Sequence, residues 1–141
     1  MTVRVSHIAM AGPQMEKVAA QLAALGLEIE HTHDVPTEKV KAAMMPVEVS
    51  PSLRIELLEP TSPDSPIAKF LQKRVDGGLH HLCFEVKDLE AWEKRVKERG
   101  LAVLPPGIRK AARGRAFFLH PKCMGGVLVE LEEISQPAKE S

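Results

Sequence analysis

The chain superposes on itself. A single ungapped offset of 74 residues lays His81 on His7, Gly100-Leu101 on Gly26-Leu27 and Val129-Glu130-Leu131 on Ile55-Glu56-Leu57, with Glu133 falling on Glu59. Self-similarity at one fixed spacing constrains a fold strongly, because each copy must form the same supersecondary unit and bury its apolar face against a neighbour. At 141 residues the chain has the length of one ordinary domain, able to bury roughly 70% of the surface it exposes when unfolded. Half of it is too short to stand alone. The duplication therefore predicts a single domain, 1–141, made of two repeats at about 3–59 and 77–133.

Within the first copy, Val3, Val5, His7 and Ala9 alternate with Ile8 and Met10, the period of a strand. After Gly12-Pro13, the residues Met15, Val18, Ala19, Leu22 and Leu25 recur at helical spacing until Gly26 stops them. Leu27 to His31 reads as a second strand, His31 to Lys39 as a polar loop around Pro36, and Val40 to Val47 as a third strand. A turn over Val49 to Ser52 leads to a fourth strand, Leu53 to Leu58. The second copy repeats this order. Leu79 to Val86 is a strand, and a helix from Asp88 turns Leu89, Trp92 and Val96 inward before Gly100. Leu101 to Leu104, Ala116 to Leu119 and Val127 to Leu131 are the three strands that follow, with a loop over Pro105 to Arg115 and a turn over His120 to Gly126. The polar tail from Ser135 is expected to fray. Between the copies lies a helix of about residues 65–75, with Ser65 as N-cap, Pro66 at the first helical position and Ile67, Phe70, Leu71 and Val75 as its apolar stripe. The repeat does not account for it. The class is α+β, two tandem βαβββ modules.

A net charge of zero gives no global argument for nucleic acid or a membrane surface as partner. No stretch approaches the ~20 apolar residues of a membrane span, and the N-terminus lacks the pattern of a secretory signal, so a cytoplasmic location is the expectation. Cys83 and Cys123 are expected as reduced thiols.

The duplication places chemistry as well as shape. Each copy has a His in its first strand and a Glu in its last, 49 residues apart in both: His7 with Glu56, His81 with Glu130. Imidazole nitrogen and carboxylate oxygen suit borderline and hard divalent ions such as Zn, Co, Ni or Mn. Taken singly, each has a bland explanation, since a Glu between Ile and Leu on a half-buried strand is ordinarily on the wet face. The coincidence in both copies argues for one four-ligand metal site. Glu59 and Glu133 also coincide, but three residues from Glu56 and Glu130 they point to the other face of a continuing strand. His80 likewise points away from His81, its repeat partner is Ser6, and a structural or supporting role is expected for it.

Several stretches carry a resemblance: His7-Ile8-Ala9, Ile55 to Pro60, Asp64 to Leu71, Gly78 to His81 with Phe84-Glu85-Val86, Phe118 to Lys122, and Gly125 to Leu131. In these the chain resembles the vicinal oxygen chelate (glyoxalase/bleomycin resistance/dioxygenase) superfamily and, within it, the methylmalonyl-CoA epimerase family. The linker helix and the His-Pro-Lys turn set that family apart from its relatives. The resemblance implies a glyoxalase-like fold, a curved mixed sheet around a metal cleft, with His7, Glu56, His81 and Glu130 as ligands. It implies a divalent ion, Co2+ foremost, with Zn2+, Mn2+ or Ni2+ as alternatives, an acyl-CoA substrate and a homodimer.

Such enzymes invert the carbon between a carboxylate and a thioester, removing its proton from one face and returning it to the other through an enediolate. General bases must flank that carbon. By the resemblance one is Glu130 and the other lies in the loop before the third strand. There the chain departs from the family's pattern of acidic residues followed by Gln-Gly-Val: it reads Val35-Pro36-Thr37-Glu38-Lys39-Val40. Thr37 takes the aligned position, and Glu38, one place on, is the candidate base. Arg109, Lys110, Arg113 and Arg115 are candidates for the coenzyme phosphates. Rival readings are a glyoxalase I-type isomerase, an extradiol-type dioxygenase and a metal-free binding or resistance protein. The dioxygenase fits less well, because its iron site uses two His and one carboxylate with open positions. The binding protein is disfavoured by the absence of Tyr and the single Trp.

Overall fold

The computed structural model of the protein describes residues 3–47 and 50–134. It contains, in chain order, β1 (Arg4–Ala11), α1 (Met15–Ala23), β2 (His31–Val35), β3 (Val40–Val47), β4 (Ser50–Pro60), α2 (Pro66–Lys73), β5 (Gly78–Glu85), α3 (Leu89–Glu98), β6 (Arg109–Lys110), β7 (Gly114–Leu119) and β8 (Leu128–Ile134). The order βαβββ occurs twice with α2 between, as the duplication predicts. The chain divides into two compact units, His7–His80 and the described residues before His7 together with those from His81 on.

In the His7–His80 unit the strands lie in the order β2-β3-β4-β1. β1 runs parallel to β4, with His7 opposite Arg54 and Ala9 opposite Glu56. β4 runs antiparallel to β3, with Met44 opposite Glu56 and Ala42 opposite Leu58. Side chains opposite one another share a face, so the sheet sorts its residues in two. One face packs Met15 and Ala19 of α1 on Ala43, Met45 and Leu57. The other packs Ala9, Ala11, Val40, Ala42 and Leu58 with Ile67, Phe70 and Leu71 of α2, and by register it also carries His7 and Glu56. The helix that the repeat leaves unexplained thus covers part of the face that holds the candidate ligands. Gly77 leads into β5 with its Cβ position against the Ala11 carbonyl, a place for glycine alone.

The second unit repeats the register 74 residues on. Its strands lie in the order β5-β8-β7-β6, with Cys83 opposite Glu130 and Phe118 opposite Glu130 on the other side. Leu89 and Val96 of α3 pack on Phe117, Leu119, Val129 and Leu131, and Trp92 borders that cluster, inward as predicted. The reverse face carries His81, Cys83, Phe118, Glu130 and Glu132.

The structure corrects three boundaries. The second strand is not Leu27 to His31: Leu27 packs against the α1 cluster, and the ladder begins at His31 and runs through the stretch expected to be a loop. β2 sits at the end of its sheet with β3 as its neighbour, so it can be polar up to its last residue, Val35, and alternation gives no sign of it. Leu101 to Leu104 keeps only a bridge between Val103 and Leu119, because Pro105-Pro106 have no N–H with which to continue a ladder. Its counterpart, β6, falls inside the basic loop. The turn expected over Val49 to Ser52 is not seen as such: Ser50 already belongs to β4 and pairs with Val47, while Val49 lies outside the described residues, as does the tail from Ser135.

Candidate active site

Glu56 and Glu130 lie between Ile55 and Leu57, and between Val129 and Leu131, which pack beneath α1 and α3. Alternation therefore sends both carboxylates to the reverse face, where they are buried rather than wet. Within the first pair, His7 Nε2 stands 3.5 Å from Glu56 Oε1, with side chains 5% and 10% exposed. Within the second, His81 Nε2 stands 3.6 Å from Glu130 Oε1, with side chains 9% and 11% exposed. The residues opposite the glutamates on β1 and β5, Ala9 and Cys83, are small and fully buried, so each imidazole reaches diagonally across to its carboxylate. Phe118 stands beside the second pair, its ring centroid 6.5 Å from that of His81.

The donor chemistry fits a metal. Two ligands, each about 2.1 Å from an ion and at the tetrahedral angle, are about 3.4 Å apart. The two His–Glu separations are close to that. Burying an imidazole and a carboxylate costs free energy that such a partner offsets. Among the described residues the potential metal donors include all four predicted ligands.

Glu38 lies in the four-residue turn Pro36–Lys39 between β2 and β3, half-buried where Thr37 is exposed. The basic stretch is a tight β6–β7 hairpin closed by the Ala111 N–H on the Gly114 carbonyl at 2.8 Å. Three of its four charges, the arginines, are engaged. Arg115 grips both oxygens of Glu90 and also Glu133 Oε2, at 2.7 Å. The guanidinium holds both carboxyls below the usual range, and they in turn raise Arg115. Arg113 donates to Glu132 at 2.8 Å and to Ser6 at 3.1 Å. Arg109 lies over Phe118, 4.6 Å from its centroid. Lys110 is exposed.

Other residues separate by parity as expected. His80 packs edge-on against Phe70 at 5.0 Å, a structural contact. Glu59 and Glu133 accept the first backbone N–H of α1 and of α3, Met15 and Leu89, each at 3.0 Å. Sequence reasoning passed over Glu132, a buried carboxylate two residues from Glu130 on the same face. Its repeat partner, Leu58, is apolar, and that broken symmetry was the available signal.

The profile of the Glyoxalase/Bleomycin resistance protein/Dioxygenase superfamily matches residues 6–118, and the chain belongs to that superfamily. Within it the relatives are specific. The ethylmalonyl-CoA/methylmalonyl-CoA epimerase of Cereibacter sphaeroides is 43% identical over 137 residues, covering 95% of this chain and 100% of the relative. The human mitochondrial methylmalonyl-CoA epimerase is 39% identical over 132 residues, 92% of this chain and 73% of that one. Among solved structures, the methylmalonyl-CoA epimerase of Mycobacterium tuberculosis superposes with a TM-score of 0.84 at 30% identity, covering 94% of this chain and 88% of that one. A methylmalonyl-CoA epimerase in complex with methylmalonyl-CoA and NH4+ gives 0.83 at 31%, covering 96% of each. The glyoxalase-like fold expected from the sequence is therefore the fold of the chain.

Proposed function

We propose that this protein interconverts the (R) and (S) forms of methylmalonyl-CoA by moving the proton at C2, working as one domain of two repeats and as a cytoplasmic homodimer. The observation that carries the reading is the duplicated buried His–Glu pair on a chain similar throughout to enzymes of that name. His7, Glu56, His81 and Glu130 would hold one divalent ion, with Co2+ the first choice and Zn2+, Mn2+ or Ni2+ the alternatives. When bound, the ion supplies Lewis-acid stabilisation of the negative charge that develops on the substrate oxygens.

The chain's own residues do the rest. Glu130 takes or returns the C2 proton on one face and Glu38 on the other, so that removal by one carboxylate and return by its opposite inverts the carbon. Arg109, Lys110, Arg113 and Arg115 are the candidates to meet the coenzyme phosphates. A phosphate at Arg113 or Arg115 would have to compete with Glu132, or with Glu90 and Glu133.

The test is NMR of deuterium exchange at C2 in heavy water, with the metal-loaded protein and again after chelator, each corrected for the spontaneous rate. Fast, chelator-sensitive exchange is expected. Exchange at the background rate would end the epimerase reading and bring the glyoxalase-type reading forward. The same assay with ethylmalonyl-CoA measures how far a longer alkyl group is accepted.

A further inference from the structure

Strand parity sorts the four basic residues of the β6–β7 hairpin. Lys110 lies opposite Arg115, and Arg115 opposite Glu133, in the row on the α3 side of the sheet, where Arg115 bonds Glu90 and Glu133. Arg109 lies opposite Ala116, and Ala116 opposite Glu132, so this row belongs to the face that holds His81 and Glu130. Arg113 reaches the same face, since it bonds Glu132 and Ser6. Two of the four cations are thus on the side of the candidate site.

Those two have different supports. Arg113 is matched at 2.8 Å to Glu132, a carboxylate that the fold buries, so its charge offsets one that would otherwise be costly. Arg109 lies half-buried over the ring of Phe118, 4.6 Å from its centroid. A ring attracts a guanidinium without cancelling its charge. Phe118 is itself opposite Glu130 on β7 and perpendicular to His81, with centroids 6.5 Å apart. One ring therefore borders both the cation and the second His–Glu pair. The duplication does not supply this arrangement: the repeat partners of Arg109 and Phe118 are Val35 and Met44, neither a cation nor a ring.

We propose that Arg109 is a specificity-determining residue that recognises the free carboxylate of the acyl group, the coenzyme phosphates falling to other residues of the hairpin. The proposal rests on the epimerase reading, in which the acyl group is bound beside the His–Glu pairs. A methylmalonyl group differs from a propionyl group by one carboxylate on C2. A planar guanidinium offers that carboxylate two parallel, charge-assisted N–H donors. Stacking on Phe118 orients the fork before the ester arrives, and partial burial strengthens the bond it can make.

The experiment compares the binding of methylmalonyl-CoA and propionyl-CoA to the metal-loaded protein by isothermal titration calorimetry. The two esters share the coenzyme and the thioester and differ in the carboxylate. Arg109→Met removes the guanidinium. It is expected to weaken methylmalonyl-CoA about 10- to 100-fold, the range for losing a hydrogen bond to a charged group. Propionyl-CoA should stay within twofold, which also shows that the fold and the coenzyme site are intact. Equal weakening of both esters would assign Arg109 to the phosphates they share, and no weakening of either would remove it from the site; each result overturns the proposal. Deuterium exchange at C2 by the parent keeps the two readings apart. If the parent exchanges that proton while Arg109→Met binds both esters as the parent does, the epimerase reading stands without Arg109. A parent that neither exchanges it nor prefers methylmalonyl-CoA to propionyl-CoA would overturn both.

Discussion

His7, Glu56, His81 and Glu130 are among the few charged or polar side chains that the fold buries, and each His is matched to one Glu. Replacing Glu130 by Gln keeps its size and removes its basicity. Turnover is expected to fall by about 10²- to 10⁴-fold, the range for losing a general base, with the fold intact by circular dichroism. These four residues were legible in the sequence because the 74-residue offset repeats them with the same strand parity, and parity also separates His80, Glu59 and Glu133 from them. Glu132 was not, since a buried carboxylate depends on a partner brought from elsewhere in the chain: Arg113, nineteen residues earlier, across a hairpin. Ser65 was legible as a helix cap but not as a partner of the turn before β3, because what it bonds there, the Glu38 carbonyl, is backbone. Backbone acceptors carry no signature of residue type.

At the level of elements, two glutamates that duplication alone could explain prove to have equal structural duties. Glu59 and Glu133 cap α1 and α3 from the last strand of each module, and the cap residue of α1, Gln14, offers no side-chain bond of its own. Glu59→Ala is expected to cost about 1 kcal/mol, roughly 3–5 °C in Tm, by thermal denaturation. Asp88 already bonds Ala91 at the same end of α3, so Glu133→Ala should cost less through capping. Glu133 has a second role with Arg115, and that role depends on pH. Its carboxyl, like that of Glu90, is held below its unfolded value by Arg115. The stabilisation is therefore fully present above about pH 5 and is lost as acid protonates the folded form. Arg115→Met should lower stability at pH 7, and in denaturant titrations the gap to the parent should narrow as the pH falls below the unfolded carboxyl value and through the lowered folded one. A gap that did not narrow with acid would mean that Arg115 stabilises through packing. The helices and inner strands could be read from periodicity, whereas β2 and β6, polar and at the sheet ends, took their positions from pairing with β3 and β7.

For the molecule as a whole, the decisive question is whether the two pairs serve one ion or two. A His–Glu pair alone supplies two ligands, too few to bind a divalent ion tightly, while four make a site that ties ligand binding to folding. An ion that binds only the folded chain stabilises it by about 2.7 kcal/mol at a hundred times its Kd, which is roughly 10 °C in Tm. Titrating the chelated protein with Co2+ should give that shift and one ion per chain by elemental analysis. His7→Ala and His81→Ala should each abolish most of it, and the double variant should lose no more than either single one, because the ligands act as a unit. Two independent sites would instead leave half of the bound metal in each single variant, with additive losses in the double. Such additivity would separate the metal from both copies of the repeat acting together, and the four-ligand proposal would have to be replaced by one in which a single module carries the chemistry.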